Sequence, residues 1–133
     1  MTVIVTDTGF APDTWSSAFT PWNGTGPARD LESDADPVQL NADNFEDVAL
    51  IRIDFPSFAD GRGFTLARLL RLNGYQGRLR ARGHVIADQY AMARRAGFDE
   101  VEIDATLAKR QPESDWTDRA AWRSHDYQAH LRG

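Results

Sequence analysis

The hydrophobic and polar positions change period several times along this chain, and each change marks an element. Val48-Ala49-Leu50-Ile51-Arg52-Ile53-Asp54-Phe55 is a β-branched, mostly apolar run, the pattern of a buried strand, and Pro56 ends it. Beyond the loop Ser57 to Gly63, the residues Leu66, Leu69, Leu70 and Asn73 recur at helical spacing, with Thr65 placed to cap the helix and Gly74 to stop it. Arg78 to Gly83 alternates with a period of two, which predicts a strand with Arg78, Arg80 and Arg82 on one face and Leu79 and Ala81 on the other. Helical spacing returns from Val85 to Ala96 through Ile86, Tyr90 and Ala93, closed by Gly97, and Glu100 to Asp104 predicts the next strand.

Strand, helix, strand, helix, strand with short connections is a βαβαβ unit over residues 48–104. The handedness rule for such crossovers makes its strands parallel, so the expected fold class is α/β with a small, mostly parallel sheet. Residues 1–47 are expected to form an irregular N-terminal flap. Val3-Ile4-Val5 is one strand candidate there, but Pro21-Trp22-Asn23-Gly24-Thr25-Gly26-Pro27 breaks any regular pattern. Trp15, Phe19 and Trp22 are best used by covering one side of the core. Residues 105–133 predict a linker, Gln111 to Asp115, and a C-terminal helix with Trp116, Ala120, Tyr127 and Leu131 on one face. That helix docks on the sheet or on a second subunit, or is a free tail. All three segments are read as one domain, 1–133, because 133 residues, 41% of them hydrophobic, suffice for one core and not for two.

The chain has no cysteine, which removes disulfides, thiolate nucleophiles and cysteine-held zinc or iron–sulfur clusters. No apolar run approaches the roughly 20 residues of a membrane helix, and the N-terminus lacks a basic start followed by an apolar stretch. A soluble, unprocessed, cytoplasmic protein without membrane partners is expected. His125 and His130 are poorly spaced for a shared metal, so no metal is predicted, and no cofactor motif is identifiable.

The formal charge of −5 hides a segregation that bears on partners. Residues 1–61 carry two arginines against eleven carboxylates, a net −9; residues 62–95 carry eight arginines against Asp88, a net +7; residues 96–133 are at −3. Guanidinium forks suit carboxylates, phosphates and sulfates, while the acidic flanks disfavour nucleic acid as a partner. The competing reading is that the flanks neutralise the basic middle within one fold.

Ligands of open α/β sheets bind outside the carboxyl ends of the strands. That rule selects the loop Asp60-Gly61-Arg62-Gly63 and the loop Arg82-Gly83-His84, which leads to Asp88 and Gln89. Asp60 and Asp88 are the candidate catalytic acids or bases, and Arg62, Gly63, Arg80 and Gln89 the candidate substrate contacts. Each has a structural alternative. Asp60 can pair with Arg62 or cap a turn, the glycines can serve a tight turn, and Arg80 can pair with Asp88 or Asp54. His84 is the one histidine inside the unit, either an acid–base group or a surface residue at a helix start.

The run from Phe55 through Asp60-Gly61-Arg62-Gly63 to Arg71, continued by Gly74-Tyr75-Gln76-Gly77-Arg78-Leu79-Arg80-Ala81, Gly83, Val85, Asp88-Gln89 and Arg95-Ala96-Gly97-Phe98-Asp99, resembles a bacterial family of uncharacterised proteins. That family is a domain of unknown function often encoded beside sulfite reductase and labelled a probable oxidoreductase of sulfite reduction. The resemblance spans roughly residues 48–104. It implies a role in assimilatory sulfur metabolism, with sulfite reductase subunits as partners, and carries over no catalytic residue. The expected function is therefore an accessory protein of sulfite reduction that binds a small oxyanion, or the reductase itself, at the strand ends. The alternative is a small oxyanion-processing enzyme using Asp and Arg chemistry. A unit of three strands and two helices buries little surface, so a homodimer is expected.

Overall fold

The computed structural model describes residues 2–15, 17–41 and 45–120. Its strands are β1 (Thr2–Thr6), β2 (Gly9–Ala11), β3 (Thr20–Pro21), β4 (Ala28–Leu31), β5 (Leu50–Phe55), β6 (Arg78–Gly83) and β7 (Glu100–Asp104). Its helices are α1 (Arg62–Leu72), α2 (Tyr90–Ala96), α3 (Ala105–Arg110) and α4 (Glu113–Thr117), with 3-10 turns at Pro37–Gln39 and Ala87–Gln89. The strands form one sheet in the order β2-β1-β7-β6-β5-β4-β3. Pairing is parallel from β3 through to β7, and β1 runs antiparallel to both of its neighbours. This is the α/β class with the mostly parallel sheet that the βαβαβ pattern predicts.

The N-terminal region is more ordered than an irregular flap. It supplies β1 to β4 to the sheet, flanking the βαβαβ unit on both sides. These strands are two to five residues long and set among Thr, Pro and Gly, too short for a period-two pattern to emerge. β4 is held by its neighbour: Ala28, Asp30 and Leu31 stand opposite Leu50, Arg52 and Ile53 of β5.

α1 begins at Arg62, three residues before the predicted cap at Thr65. The reason lies two residues before the helix, where the Asp60 carboxylate accepts a hydrogen bond from the Arg62 N–H at 3.1 Å and puts negative charge at the positive end of the helix dipole. α2 starts later than predicted. Gln89 accepts from the Ile86 N–H at 3.0 Å through its side chain, which fixes residues 87–89 as a 3-10 turn ahead of it. Gly97, at φ +119°, ends α2 in the left-handed conformation that favours glycine.

One face of the sheet carries the apolar core. Ile51, Ile53, Leu79, Ala81, Val101 and Ile103 meet Leu66, Leu70, Tyr90 and Ala93 of α1 and α2, all of them buried. Trp116 of α4 is fully buried, with its ring edge-on to Tyr90 at 6.1 Å and its indole N–H donating to the Gln111 carbonyl. The segment before it is docked. The Gln111 side chain accepts from the Ala87 N–H, and the Glu113 carboxylate accepts from the Phe10 N–H. Of the predicted C-terminal helix, Tyr127, Leu131, His125 and His130 lie outside the described residues. Among the described residues no helix is long and apolar enough to cross a membrane.

Candidate functional site

The opposite face of the sheet is ionic. The period-two alternation of β6 does place Arg78, Arg80 and Arg82 together, beside Arg52 of β5 and Glu100 and Glu102 of β7. Guanidinium and carboxylate alternate across the strands. Asp30 grips Arg52 at 2.7 and 3.0 Å, Arg52 reaches Glu102 at 3.3 Å, Glu102 and Glu100 hold Arg80 at 2.8 and 2.6 Å, and Glu100 also binds Arg78 at 2.8 Å. The segment between β2 and β3 lies over this lattice. Its Asp13 accepts both terminal nitrogens of Arg80 at 3.1 Å, and the Phe19 ring stacks 3.6 Å from the Arg52 guanidinium carbon.

Arg80 is 0% exposed and wholly committed to Asp13, Glu100 and Glu102, so its partners are these and neither Asp88 nor Asp54. The structure thus realises the ion-pair alternative for this residue, and the acidic flanks neutralise much of the basic middle segment.

The Asp60 loop is also internally satisfied. The Asp60 carboxylate accepts from Arg62 Nε at 2.9 Å, from Arg62 Nη2 at 2.8 Å and from Ser33 Oγ at 3.0 Å. The Arg62 fork, helped by the Arg62 N–H and Ser33, holds the carboxyl far below the usual carboxylate range, which makes it a poor proton acceptor near neutrality. Arg62 keeps 61% of its side chain exposed. Gly63 is pressed against the core: a Cβ there would lie 2.5 Å from the Phe55 ring. Asp88 is 72% exposed and paired with Arg119. Gln89 donates from Nε2 to the Phe58 carbonyl at 2.9 Å, tying the loop after β6 to the loop after β5.

The predicted residues therefore do not converge on one pocket. The cleft at the carboxyl ends of β5, β6 and β7 has a volume of about 720 Å³ and none of the six lines it. Its walls are Pro56 and Phe58 after β5, Gly83 and His84 after β6, and Ile103, Thr106, Leu107 and Arg110 after β7, with Asp54, Arg82, Glu102 and Asp104 at the strand ends. The His84 and Phe58 rings meet edge to face at 5.4 Å. Gly83, at φ +111°, allows the chain to turn here, and a Cβ on it would come 2.7 Å from the Phe55 carbonyl oxygen.

Arg82 differs from its neighbours on β6. Its nearest carboxylates, Glu102 and Asp54, stand at 3.6 and 3.7 Å, beyond hydrogen-bond distance, and 47% of its side chain is open to the cleft mouth. Glu102 is meanwhile committed to Arg80, and the Asp104 carboxylate caps α3 by accepting from the Leu107 N–H at 2.8 Å. Arg82 thus lies within ion-pair range of Asp54 and Glu102 without a hydrogen bond to either, and Arg110 stands exposed at the end of α3.

The strand-end rule points to the end of the sheet where this cleft lies and to the Arg82-Gly83-His84 loop, but singles out neither Arg82 nor Arg110. Asp104, the last residue of β7 and three residues before Leu107, is the capping signal from which α3 and Arg110 could have been read.

Comparison with curated proteins and with solved structures gave no match. A family model does match, over residues 29–133, a longer stretch than the run 48–104 that carries the resemblance. The match takes in β4, the whole βαβαβ unit and the docked segment with Trp116, and by it the chain belongs to a family of bacterial proteins of unknown function (DUF934).

Proposed function

We propose that this protein is an accessory protein of assimilatory sulfite reduction that holds a small oxyanion in the cleft at the carboxyl ends of β5, β6 and β7. The sulfur assignment is supported by the resemblance of residues 55–99 to a family labelled for sulfite reduction. The anion assignment is supported by one observation above the others: Arg82 presents a guanidinium without a hydrogen-bonded carboxylate, although every other arginine on the strands beside it is gripped by one. Planar forks with free donors bind tetrahedral and pyramidal oxyanions through paired N–H groups. Arg110 adds a second guanidinium at the same mouth. The enzyme alternative with Asp60 or Asp88 draws less from the geometry, because both carboxylates pair outside the cleft.

Anaerobic calorimetry with sulfite and with sulfate tests the anion reading. Binding to the unmodified protein, lost in Arg82→Gln and kept in Arg62→Gln, is the expected result; no binding of either anion removes the reading. Co-purification with sulfite reductase subunits from sulfate-starved cells tests the sulfur assignment separately, and its absence under conditions where the reductase is abundant counts against it.

A further inference from the structure

The cleft is far larger than an inorganic oxyanion requires, and its walls are not built for one. Its volume of about 720 Å³ lies in the range of pockets that enclose organic ligands and cofactors. Phe58 is one of the few large apolar side chains left substantially exposed among the described residues, 45% open. It stands edge-on to His84, opening a partly aromatic wall on the side of the cleft away from α3. Leu107 supplies apolar surface from the α3 side, and Gly83 contributes no side chain to the floor between them. An exposed aromatic that its fold does not bury, beside a half-exposed guanidinium whose carboxylate neighbours lie beyond hydrogen-bond distance, suits a ligand that is apolar at one end and anionic at the other.

We infer that the ligand of this cleft is an organic anion, a sulfonate, phosphate or carboxylate carried on a planar, apolar body, with its charged group on Arg82 and Arg110 and its body against Phe58 and Leu107. This deepens the oxyanion reading and rests on it. The body adds contact area on Phe58 and Leu107 that sulfite or sulfate leaves bare, so affinity rises with the body and not with the charge alone.

Calorimetry on the full chain with four probes tests this: inorganic sulfate, methanesulfonate, naphthalene-2-sulfonate and uncharged 2-naphthol. Naphthalene-2-sulfonate is expected to bind at least about tenfold more tightly than methanesulfonate, the size of gain that burying one aromatic face supplies. Phe58→Ala, a change at an exposed loop side chain, removes most of that gain, so that naphthalene-2-sulfonate loses far more affinity than methanesulfonate does. Arg82→Gln weakens all three anions, and Arg110→Gln does the same should the strand variant fold poorly. Equal affinity for methanesulfonate and naphthalene-2-sulfonate overturns the inference while leaving the oxyanion reading in place. Failure of every anion to bind overturns both. Binding of 2-naphthol as tight as that of the sulfonate, or sulfonate binding indifferent to Phe58→Ala, places the contact elsewhere and overturns the inference alone.

Discussion

The carboxylate of Asp13 straddles the guanidinium of Arg80, with each oxygen 3.1 Å from one terminal nitrogen, and joins positions 67 residues apart. Asp13 is the contribution of the N-terminal third to a buried cation that already has two carboxylates from β7. A fully desolvated guanidinium needs such company. Its hydration is gone, and only short, charge-assisted hydrogen bonds compensate.

Removing the cation is therefore expected to cost far more than removing one of its anions. Arg80→Leu leaves Glu100 and Glu102 buried and short of a partner and should lower stability by about 3–5 kcal/mol, the scale seen when one member of a buried pair is deleted. Asp13→Asn keeps a hydrogen-bond acceptor at the same place and should cost about 1–2 kcal/mol. Urea denaturation midpoints at neutral pH decide the order; equal losses for the two variants contradict the lattice as described.

Acid should unfold the protein through the same carboxylates. Burial of Asp13 opposes its ionisation, but hydrogen bonds from Arg80 and from the Trp15 N–H, with the charges of Arg80 and Arg78, outweigh burial and lower its pKa. Asp60 is lowered more strongly, chiefly by the Arg62 fork. Folded-state values below the unfolded ones mean that the folded protein releases these protons more readily. Their contribution is then complete above the unfolded pKa and lost as pH falls toward the folded values. Stability should be flat above about pH 5 and decline below about pH 4. Asp60→Asn should flatten part of that decline, as measured by urea titrations from pH 7 down to pH 3.

The glycines of the Asp60 loop separate a packing role from a ligand role. Gly63→Ala puts a methyl group into the Phe55 ring and should destabilise by about 1–3 kcal/mol, the usual range for overpacking. Gly61→Ala meets nothing within 4 Å at an ordinary φ of −87° and should cost under about 1 kcal/mol. Neither change should alter anion affinity in the folded protein by calorimetry, because neither residue lines the cleft.

What the chain declares about itself is its strong periodicity. β5, β6 and β7, and the bodies though not the starts of α1 and α2, stand where apolar spacing places them, because Ile51, Ile53, Leu66, Leu70, Leu79 and Val101 are buried on a single face. β2, β3 and β4 were not readable, since two to four residues cannot show a period and their place is set by partners distant in sequence. The site was half readable. Strand parity grouped the three arginines of β6, yet which of them lacks a hydrogen-bonded carboxylate depends on where Asp13, Glu100 and Glu102 lie in space, and no local pattern carries that.

Trp116 tests whether the C-terminal segment is part of the core. Its ring is fully buried against Tyr90, and its indole N–H is satisfied by Gln111. Trp116→Ala should therefore cost about 3–5 kcal/mol. Thermal unfolding followed by circular dichroism reads this directly, and a variant as stable as the parent would mean that the segment is detachable.

β1 lies between β2 and β7, so residues 2–5 pair with residues 101–104. The inner edge of β1 is therefore covered only by β7, which follows every other described strand in the chain. Until then its hydrogen-bonding groups and those of β2 are exposed to any neighbouring nascent chain. A protein with this strand order closes its sheet through a long-range pairing, so β1 stays open to other chains until β7 has been made and docked.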